Sequence, residues 1–291
     1  MEKKLENLQI LVNHLTYHYP DGTIALRGIN LNIYSGEIVG IMGKNGAGKS
    51  TLIKTFNGLL KPTTGTVYIE NDEVNNVLMS KLTRKVGIVF QNPDLQLFAN
   101  TVEDEIKFSL KNLNFSKTEL ENQINLTLEK FKLKKFQNRT PFTLSGGEKK
   151  RLAIASIMCR NPEIIVFDEP TIGQDAEGVE FIKNLIKEKH AEGKTIIIVT
   201  HDIEFAIDNI PRTILMADGL IVADGPTNKI LSQDQILNIG SLISPQLIQL
   251  SKFLIDLKIK VPEDVYIKEN MVQFLGSYFK DKMGITEGGK T

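Results

Sequence analysis

The residues best suited to chemistry lie in a glycine-rich loop that ends in a lysine and two hydroxyl residues. The loop reads Gly43-Lys44-Asn45-Gly46-Ala47-Gly48-Lys49-Ser50-Thr51. Glycines let backbone N–H groups wrap phosphate oxygens, Lys49 would reach the β and γ oxygens, and the Ser50 hydroxyl would coordinate Mg²⁺. The loop therefore predicts a site for a nucleoside triphosphate together with Mg²⁺.

Two carboxylates stand at the end of a short apolar run. Ile164 to Phe167 has the pattern of a buried parallel strand, and Asp168 and Glu169 follow it directly. At the carboxyl edge of an open α/β sheet, Asp168 would complete the Mg²⁺ shell and Glu169 would polarise an attacking water. An Asp-Glu pair in this position could equally cap the following helix, so the assignment depends on the other motifs.

Two further polar residues follow predicted strands. His201 comes after the β-branched run Thr195 to Thr200, from where its side chain could reach a γ-phosphate and steady the transition state. Gln91 ends the strand Lys85 to Phe90 and is followed by the Asn92-Pro93 break. It could contact Mg²⁺ and sense movement of the next segment. A structural role at a strand end is the alternative for both residues.

A second anion site is predicted at Leu144-Ser145-Gly146-Gly147-Glu148. Ser145 and Glu148 have the spacing of a capping box, so a helix should begin here. Its free N–H groups and positive dipole end would face outward through two glycines, which favours a phosphate. Because the chain has its own phosphate loop, this second site should serve a nucleotide on another copy or a partner, and the active unit should be a dimer.

An aromatic residue near the start of the chain could hold a base. Tyr19 begins a tight turn, Tyr19 to Gly22, and its ring is a candidate platform for adenine. Tyr17 is the rival, and a packing role stays open for either tyrosine. The flanking strands Ile10 to Tyr17 and Leu26 to Ile33 predict a hairpin-rich front end.

Local patterns predict the elements that position these residues. The run Glu37 to Met42 is a strand leading into the glycine loop, and the helix from Lys49 should end near Asn57-Gly58. Residues from about 92 to 159 should form a helical insert, with capping signals at Thr101 and Ser116. The parallel-sheet pattern then returns, so the two halves should share one sheet. Residues 1–225 would form a nucleotide-binding domain.

After residue 225 the pattern changes to short helices up to about Phe279, followed by a polar, glycine-rich end. We interpret residues 226–291 as a C-terminal appendage.

Composition narrows the function classes. Of 291 residues, 41% are hydrophobic and 24% charged, which is typical of a soluble globular chain. Lys plus Arg equals Asp plus Glu at 35 each, so a nucleic-acid partner is not expected. Cys159 is the only cysteine, which excludes an internal disulfide and suggests a small buried residue. No run reaches the roughly 18 to 20 apolar residues of a membrane span.

Together the motifs resemble the nucleotide-binding subunit of ABC transporters over roughly residues 8 to 225. The resemblance is carried, in order, by Gly43 to Thr51, Gln91, Leu144 to Glu148, Asp168-Glu169, Asp175 and His201. It implies an α/β cassette of the P-loop NTPase (RecA-like) fold that binds and hydrolyses ATP as a dimer. It also implies that Asp175 lies in the D-loop at the dimer seam, and that Ser145, Gly146 and Gly147 contact the γ-phosphate held by the opposite subunit.

The segment Phe90 to Phe108 is similar to the Q-loop region of energy-coupling factor ATPases, which serve importers of cobalt, nickel and vitamins. The similarity implies a second ATPase subunit in a homodimer or heterodimer, an integral-membrane T component and a substrate-binding S component. Coupling helices of the T component would lie in the Gln91 to Phe108 groove. The chain would then be a peripheral protein on the cytoplasmic face of the cell membrane.

An acidic cluster at the start of the helix after Gln91 suggests how the partner would dock. We expect Glu103, Asp104 and Glu105 to receive arginines from a coupling helix, since carboxylates offer bidentate geometry to guanidinium groups. The alternative is a solvated helix start, where acids favour the positive end of the dipole.

Some residues depart from the family pattern. Leu95 stands where an acid is common, Glu148 replaces the usual Gln, and Gln174 and Ala176 replace Leu and Pro beside the D-loop aspartate. Other functions remain open: another ABC transporter class, a soluble ABC protein of DNA repair or translation, or a binding module without turnover. The soluble proteins need a long coiled coil or two cassettes in one chain, and Glu169 argues against a module without turnover.

Overall fold

The computed structural model describes residues 7–262, 266 and 268–283, and within them the strand and helix patterns become a mixed α/β fold. The strands are β1 (Leu8–His18), β2 (Ile24–Tyr34), β3 (Ile38–Met42), β4 (Thr64–Ile69), β5 (Asp72–Glu73), β6 (Val86–Val89), β7 (Ile164–Asp168), β8 (Thr195–Val199), β9 (Arg212–Ala217) and β10 (Leu220–Pro226). The helices are α1 (Lys49–Phe56), α2 (Met79–Lys85), α3 (Val102–Leu110), α4 (Lys117–Lys130), α5 (Gly146–Met158), α6 (Ala176–Ala191), α7 (Ile203–Asn209), α8 (Thr227–Leu231), α9 (Asp234–Gly240), α10 (Gln246–Asp256) and α11 (Lys268–Met283).

The central sheet has six strands in the order β10-β9-β3-β8-β7-β6. Neighbouring strands are parallel except at the edge, where β10 runs antiparallel to β9. Val199 of β8 pairs with Ile41 of β3 on one side and with Asp168 of β7 on the other. The carboxyl ends of these three strands therefore meet at one edge of the sheet, where ligands of open α/β folds bind. The two halves of the chain share one sheet, as predicted.

The smaller sheet is antiparallel, in the order β2-β1-β4-β5. Its β1–β2 hairpin confirms the predicted front end, and the turn is closed by a hydrogen bond from Tyr19 N to Thr23 O of 2.9 Å. The sequence patterns do not predict β4, β5 or α2. β4 is half exposed and α2 buries Leu82 alone among its own residues, so neither carries a strong periodic signal.

Helices and the smaller sheet cover the two faces of the central sheet. Successive side chains of a strand point to opposite faces. Ile164 and Val166 therefore pack with α1 and the smaller sheet, whereas Ile165 and Phe167 pack with α5 and α6. Burial on both faces explains why the central strands read as continuous apolar runs.

Capping residues start and stop the helices near the site. Thr101 caps α3 by accepting from the backbone N–H of Asp104 at 3.0 Å, and Ser116 caps α4 in a complete capping box, as predicted. α1 ends at Phe56, and Gly58 follows with a φ of 76°, which is the predicted glycine cap. Cys159 is buried at the end of α5.

Short helices follow β10, as the sequence predicts. α10 and α11 share a small apolar cluster centred on Leu254 and Met271. The polar, glycine-rich end of the chain lies outside the described residues from position 284 onward. A helix long and apolar enough to cross a membrane does not occur among the residues that the structure describes.

Close packing between β6 and α5 leads to a testable prediction. A Cβ atom at Gly87 would lie 2.4 Å from Ile157 Cγ2 and 2.9 Å from Pro162 Cγ. Gly87→Ala should therefore lower the free energy of unfolding by about 1 to 3 kcal/mol, as measured by urea titration. Gly276→Ala on α11 is the matched control, because a Cβ there meets no atom of the described residues within 4 Å. Equal stability of the two variants would contradict this packing.

Candidate functional site

The loop between β3 and α1 has its shape because other backbone segments approach it closely. Gly43 has a φ of 140°, and a Cβ atom on it would lie 2.1 Å from the carbonyl oxygen of Met216. Gly48 has a φ of 99°, and its Cβ would lie 2.6 Å from the carbonyl oxygen of Ala25. Any larger side chain at either position would displace the loop. The two glycines are therefore required by packing as well as by backbone conformation.

The loop and the start of α1 suit an anion. Within the described residues, no side chain accepts a hydrogen bond at the N-terminus of α1, so its first N–H groups remain available to a ligand. Lys49 Nζ donates to the carbonyl oxygens of Gly43 at 2.7 Å and Lys44 at 3.0 Å. Burial lowers the pKa of the Lys49 ammonium, and the carboxylates of Glu169 and Asp168 offset part of that effect.

A cleft of about 300 Å³ opens over this loop. Its lining residues are Tyr19, Thr23, Ile24, Ala25, Asn45, Gly46, Gly48, Lys49, Ser50, Thr51, Gln91, Asp168 and Glu169. Most of the predicted ATP and Mg²⁺ residues thus share one surface. Gly43 and Ala47 are buried under it, and Lys44 forms an ion pair with Asp218 at 2.9 Å.

Tyr19, and not Tyr17, reaches the cleft. The Tyr19 hydroxyl is 3.0 Å from Thr51 Oγ1. Tyr17 contacts the Tyr19 ring edge to face, with ring centroids 5.0 Å apart, and packs against the core. Sequence reasoning missed Ile24 and Ala25, which β2 places beside the loop once the hairpin turn is closed. The turn at Pro20 was the available sequence signal, since it reverses the chain and so brings Ile24 and Ala25 back beside Tyr19.

Oxygen atoms suited to Mg²⁺ lie together on one wall of the cleft. Ser50 Oγ donates to Asp168 Oδ2 at 3.3 Å. Burial raises the pKa of Asp168, with a smaller contribution from the neighbouring charge of Glu169. Hydroxyl and carboxylate oxygens are preferred ligands of Mg²⁺, and Gln91 lines the same cleft. The residues present therefore fit the ion.

Glu169 is held by three contacts in a backbone conformation that is uncommon for glutamate. Its φ is 48°, and its N–H donates to Val199 O at 2.8 Å. His201 Nδ1 lies 2.8 Å from Glu169 Oε1, and the His201 N–H donates to Oε2 at 3.4 Å. The carboxylate is buried, with 6% of the residue exposed. Backbone strain of this kind is concentrated at functional sites.

The Leu144–Glu148 segment lies apart from this cleft. Ser145 Oγ accepts from Glu148 N at 3.4 Å and Ser145 N donates to Glu148 Oε2 at 2.9 Å, so the capping box is complete. These hydrogen bonds lower the pKa of Glu148. Gly146 and Gly147 are exposed at the start of α5, and Leu144 is buried beneath them. Among the described residues that line the cleft, none comes from this segment.

Asp175 also lies outside the cleft. It is exposed at the start of α6, where its carboxylate accepts from Gly178 N at 2.8 Å. It therefore caps α6 in this chain. Gln174, which departs from the family pattern, lies against the same turn, with its Oε1 2.8 Å from the Cβ position of Gly178.

Comparisons with known proteins identify the family of this chain. The family model described as "ABC transporter" matches residues 26–172. Energy-coupling factor transporter ATP-binding protein EcfA of Methanococcus maripaludis is 43% identical over 242 residues, which cover 82% of this chain and 87% of that protein. EcfA of Methanothermobacter thermautotrophicus is 41% identical over 262 residues, covering 87% and 84%. The chain belongs to the energy-coupling factor ATPases of the ABC transporter family.

Solved structures confirm the predicted fold of this energy-coupling factor ATPase. CbiO1 from Clostridium perfringens, described as part of the ABC transporter complex cbiONQ, superimposes with a TM-score of 0.70 at 35% identity, covering 84% of this chain and 99% of that one. The ATP-binding cassette MJ0796, solved as a dimer bound to ADP and Pi, gives 0.68 at 34% identity, covering 75% and 98%. The chain is thus an ABC-type ATPase that binds ATP, as the sequence motifs predicted.

Lys150 is a residue of this ATPase that sequence reasoning missed. Its side chain is buried and donates to the carbonyl oxygens of Phe90 and Gln91, both at 3.2 Å. Burial lowers the pKa of Lys150 to about 8, and the carboxylates of Asp168 and Glu169 offset part of that effect. Lysine is mostly exposed in proteins, so the basic residues after the capping box carry no sequence signal for this burial.

The predicted docking role of the acidic cluster on α3 is wrong for Glu105. This residue is 2% exposed, and its Oε2 accepts from Phe98 N at 3.0 Å and Ala99 N at 2.9 Å. It lies on the buried face of α3 with Val102 and Ile106, because residues three and four positions after Val102 lie on the same side of the helix. Glu105 therefore shapes the preceding loop and cannot receive an arginine from a partner.

Loss of the loop lysine should weaken nucleotide binding in this ATPase. If Lys49 binds phosphate as the sequence predicts, Lys49→Ala would remove charge-assisted hydrogen bonds worth about 1.5 to 3 kcal/mol, and the Kd for ATP should rise about 10- to 150-fold. Equilibrium dialysis with labelled ATP measures this. Lys81→Ala is the control, because Lys81 lies outside the loop and is paired with Asp72 at 2.7 Å. An equal loss in both variants would contradict the assignment.

Proposed function

We propose that this chain is the ATP-hydrolysing subunit that drives an energy-coupling factor importer for a vitamin or for cobalt or nickel ion. It works as a dimer, a homodimer or a heterodimer, in which each ATP lies between the two subunits. Residues 1–225 form the nucleotide-binding domain of this proposal, and residues 226–291 its appendage. The observation that carries the proposal is the separation of the exposed Gly146-Gly147 helix start from the chain's own cleft.

The composite site follows from two unlike helix starts. α1 begins over the cleft with N–H groups available to phosphate, and α5 begins at an exposed surface with glycines that leave open space around its N-terminus. A second copy that faces this surface would bring Ser145, Gly146 and Gly147 to the γ-phosphate in the first copy's cleft. The dimeric cassette MJ0796, with ADP and Pi bound, supports this arrangement. Asp175 at the start of α6 would then lie at the seam.

The motif residues of the cleft would divide the tasks of hydrolysis among them. Tyr19 would stack on adenine, and Lys49 with the loop N–H groups would hold the phosphates. Ser50, Asp168 and Gln91 would hold Mg²⁺, whose charge offsets that of the phosphates. These contacts fix the γ-phosphate relative to the attacking water.

Glu169 would polarise the attacking water and accept its proton. His201 would orient Glu169 through the 2.8 Å contact between Nδ1 and Oε1, and its other ring nitrogen would face the γ-phosphate. The strained backbone at Glu169 is tolerated because the neighbouring strand and His201 together determine its position.

The membrane partner would dock on a groove beside α3. The rings of Phe98 and Phe108 pack edge to face with centroids 4.7 Å apart, yet they remain 57% and 54% exposed. The groove is lined by Phe98, Ala99, Asn100, Asp104, Lys107, Phe108, Lys111 and Leu120. An apolar centre with charges at its rim fits an amphipathic coupling helix of a T component, with Asp104 as the acid open to an arginine. A separate S component would choose the solute, and the chain would be peripheral on the cytoplasmic face.

Glu169→Gln should stop hydrolysis and trap the dimer. The amide keeps the shape of the side chain but cannot polarise water, so ATP should bind with unchanged affinity and remain intact. Size-exclusion chromatography with light scattering at saturating MgATP should show a dimer. Ser145→Arg added to Glu169→Gln should abolish that dimer and spare ATP binding, because the arginine fills the space beside the exposed glycines. A monomer for Glu169→Gln itself at saturating MgATP would refute the composite site.

Exposed aromatic residues in the groove should hold the chain to membranes. Burying one phenylalanine is worth about 1.5 to 3 kcal/mol, so Phe98→Ser with Phe108→Ser should weaken association with partner-containing membranes by more than about a hundredfold. ATP binding should persist, since both residues lie outside the cleft. Leu126→Ser is the control, because Leu126 is exposed on α4 away from the groove lining. If the parent chain, the double variant and Leu126→Ser sediment with membrane vesicles to the same extent, the docking site is refuted.

A further inference from the structure

Side chains on and near α5 hold both backbone groups of Phe90, the residue before Gln91. Lys150 Nζ donates to Phe90 O at 3.2 Å, and Gln96 Oε1 accepts from Phe90 N at 3.2 Å. Gln96 in turn donates to Ala153 O on α5 at 2.7 Å. β6 ends at Val89, so the sheet no longer holds the chain here. The position of Phe90 and Gln91 is therefore set by α5.

Stability alone does not favour a lysine at position 150. The residue is 2% exposed, and burying an ammonium costs free energy that neutral carbonyl acceptors only partly offset. An apolar side chain of the same length would fill the space at lower cost. The specific feature of Lys150 is that one side chain contacts two successive carbonyls, those of Phe90 and Gln91.

The same helix begins with the glycines that would face the opposite subunit. α5 starts at Gly146, and Lys150 follows about one helical turn later. A helix moves as a rigid element over this distance, so a displacement of its first turn also displaces Lys150. Gln91, which Lys150 holds, lines the chain's own cleft with Asp168 and Glu169.

We propose that Lys150 is a positioning residue that couples the two ATP sites of the dimer. When the start of α5 engages the nucleotide of the opposite subunit, Lys150 moves the Phe90-Gln91 backbone and brings the Gln91 side chain into place in its own cleft. Gln96 supports the same connection from the other side of Phe90. Occupancy of one site thereby sets the geometry of the other. This inference rests on the composite sites proposed above.

The neighbouring lysine provides an internal comparison. Lys149 lies on the same turn of α5 and forms an ion pair with Asp94 at 2.8 Å. The Asp94 side chain is 52% exposed and that of Lys149 is 19% exposed, and ion pairs open to solvent contribute little free energy. Lys149 also makes no contact with the Gln91 backbone among its described hydrogen bonds. It therefore serves as the matched control for Lys150.

Steady-state hydrolysis tests the coupling first. Lys150→Met should lower kcat about tenfold while the Kd for ATP of the isolated chain stays within about twofold, because misplacement of Gln91 affects the reacting geometry more than binding. It should also bring the Hill coefficient for ATP close to one. Gln96→Leu should reproduce the effect, Lys150→Arg should restore part of it, and Lys149→Met should match the parent chain.

A fluorescent reporter tests the movement directly. The chain contains no tryptophan, so Leu95→Trp, at a residue that is 79% exposed beside Gln96, supplies a single probe. In a Glu169→Gln background, MgATP should shift the emission of this introduced tryptophan as the dimer forms. With Lys150→Met added, the dimer should still form by size exclusion but the emission shift should be lost.

The outcomes separate this inference from the composite sites. A dimer that forms in the Lys150→Met protein with a full emission shift, or a kcat within about twofold of the parent, overturns the role of Lys150. A loss of ATP affinity in Lys150→Met that is accompanied by a lowered Tm also overturns the proposal, because Lys150 would then be only structural. If the parent Glu169→Gln chain forms no dimer at saturating MgATP, the composite site itself has failed.

Discussion

The parallel register of β3, β8 and β7 is the constraint on which the rest of this structure depends. Because Val199 pairs with both Ile41 and Asp168, three strands end at the same level. The segments that leave them carry the phosphate loop, the two carboxylates and His201. A one-residue slip in any pair would turn its side chains to the opposite face and separate these groups. Burial of the strands on both faces makes that slip costly, and the core therefore defines the site.

Charge is balanced within a small buried volume beside this edge. Lys49 and Lys150 are both buried, and burial lowers the pKa of each lysine. The negative charges of Asp168 and Glu169 raise both pKa values and so offset part of this effect. In a medium of low effective dielectric, the opposite charges offset part of one another's cost of burial. Removing one of them changes the environment of the remaining three. Double-mutant cycles are thus needed to divide their contributions.

Features that depend on local sequence were predictable, and features that depend on tertiary burial were not. The phosphate loop and the capping box at Ser145 could be read directly, because each requires particular residues at fixed spacing. Local sequence also gave Glu105 a wrong role. Helix spacing places Glu105 on the same face as Val102, but the sequence does not show that this face is buried. Lys150 gave no signal at all, because lysine is mostly exposed and its two carbonyl partners are about sixty residues away in sequence.

The backbone at Glu169 bears on how such ATPases evolve after duplication. At a φ of 48° a glutamate is strained, whereas glycine adopts this conformation freely and asparagine does so more readily than other residues. In the mechanism proposed above, a duplicated copy in which Glu169 is replaced by glycine or asparagine would lose hydrolysis and relax its backbone in the same step. Stability thus favours the inactive copy, and an active carboxylate persists only where turnover is under selection. In that mechanism, the strained backbone at this position is therefore part of the cost of keeping a hydrolytic carboxylate.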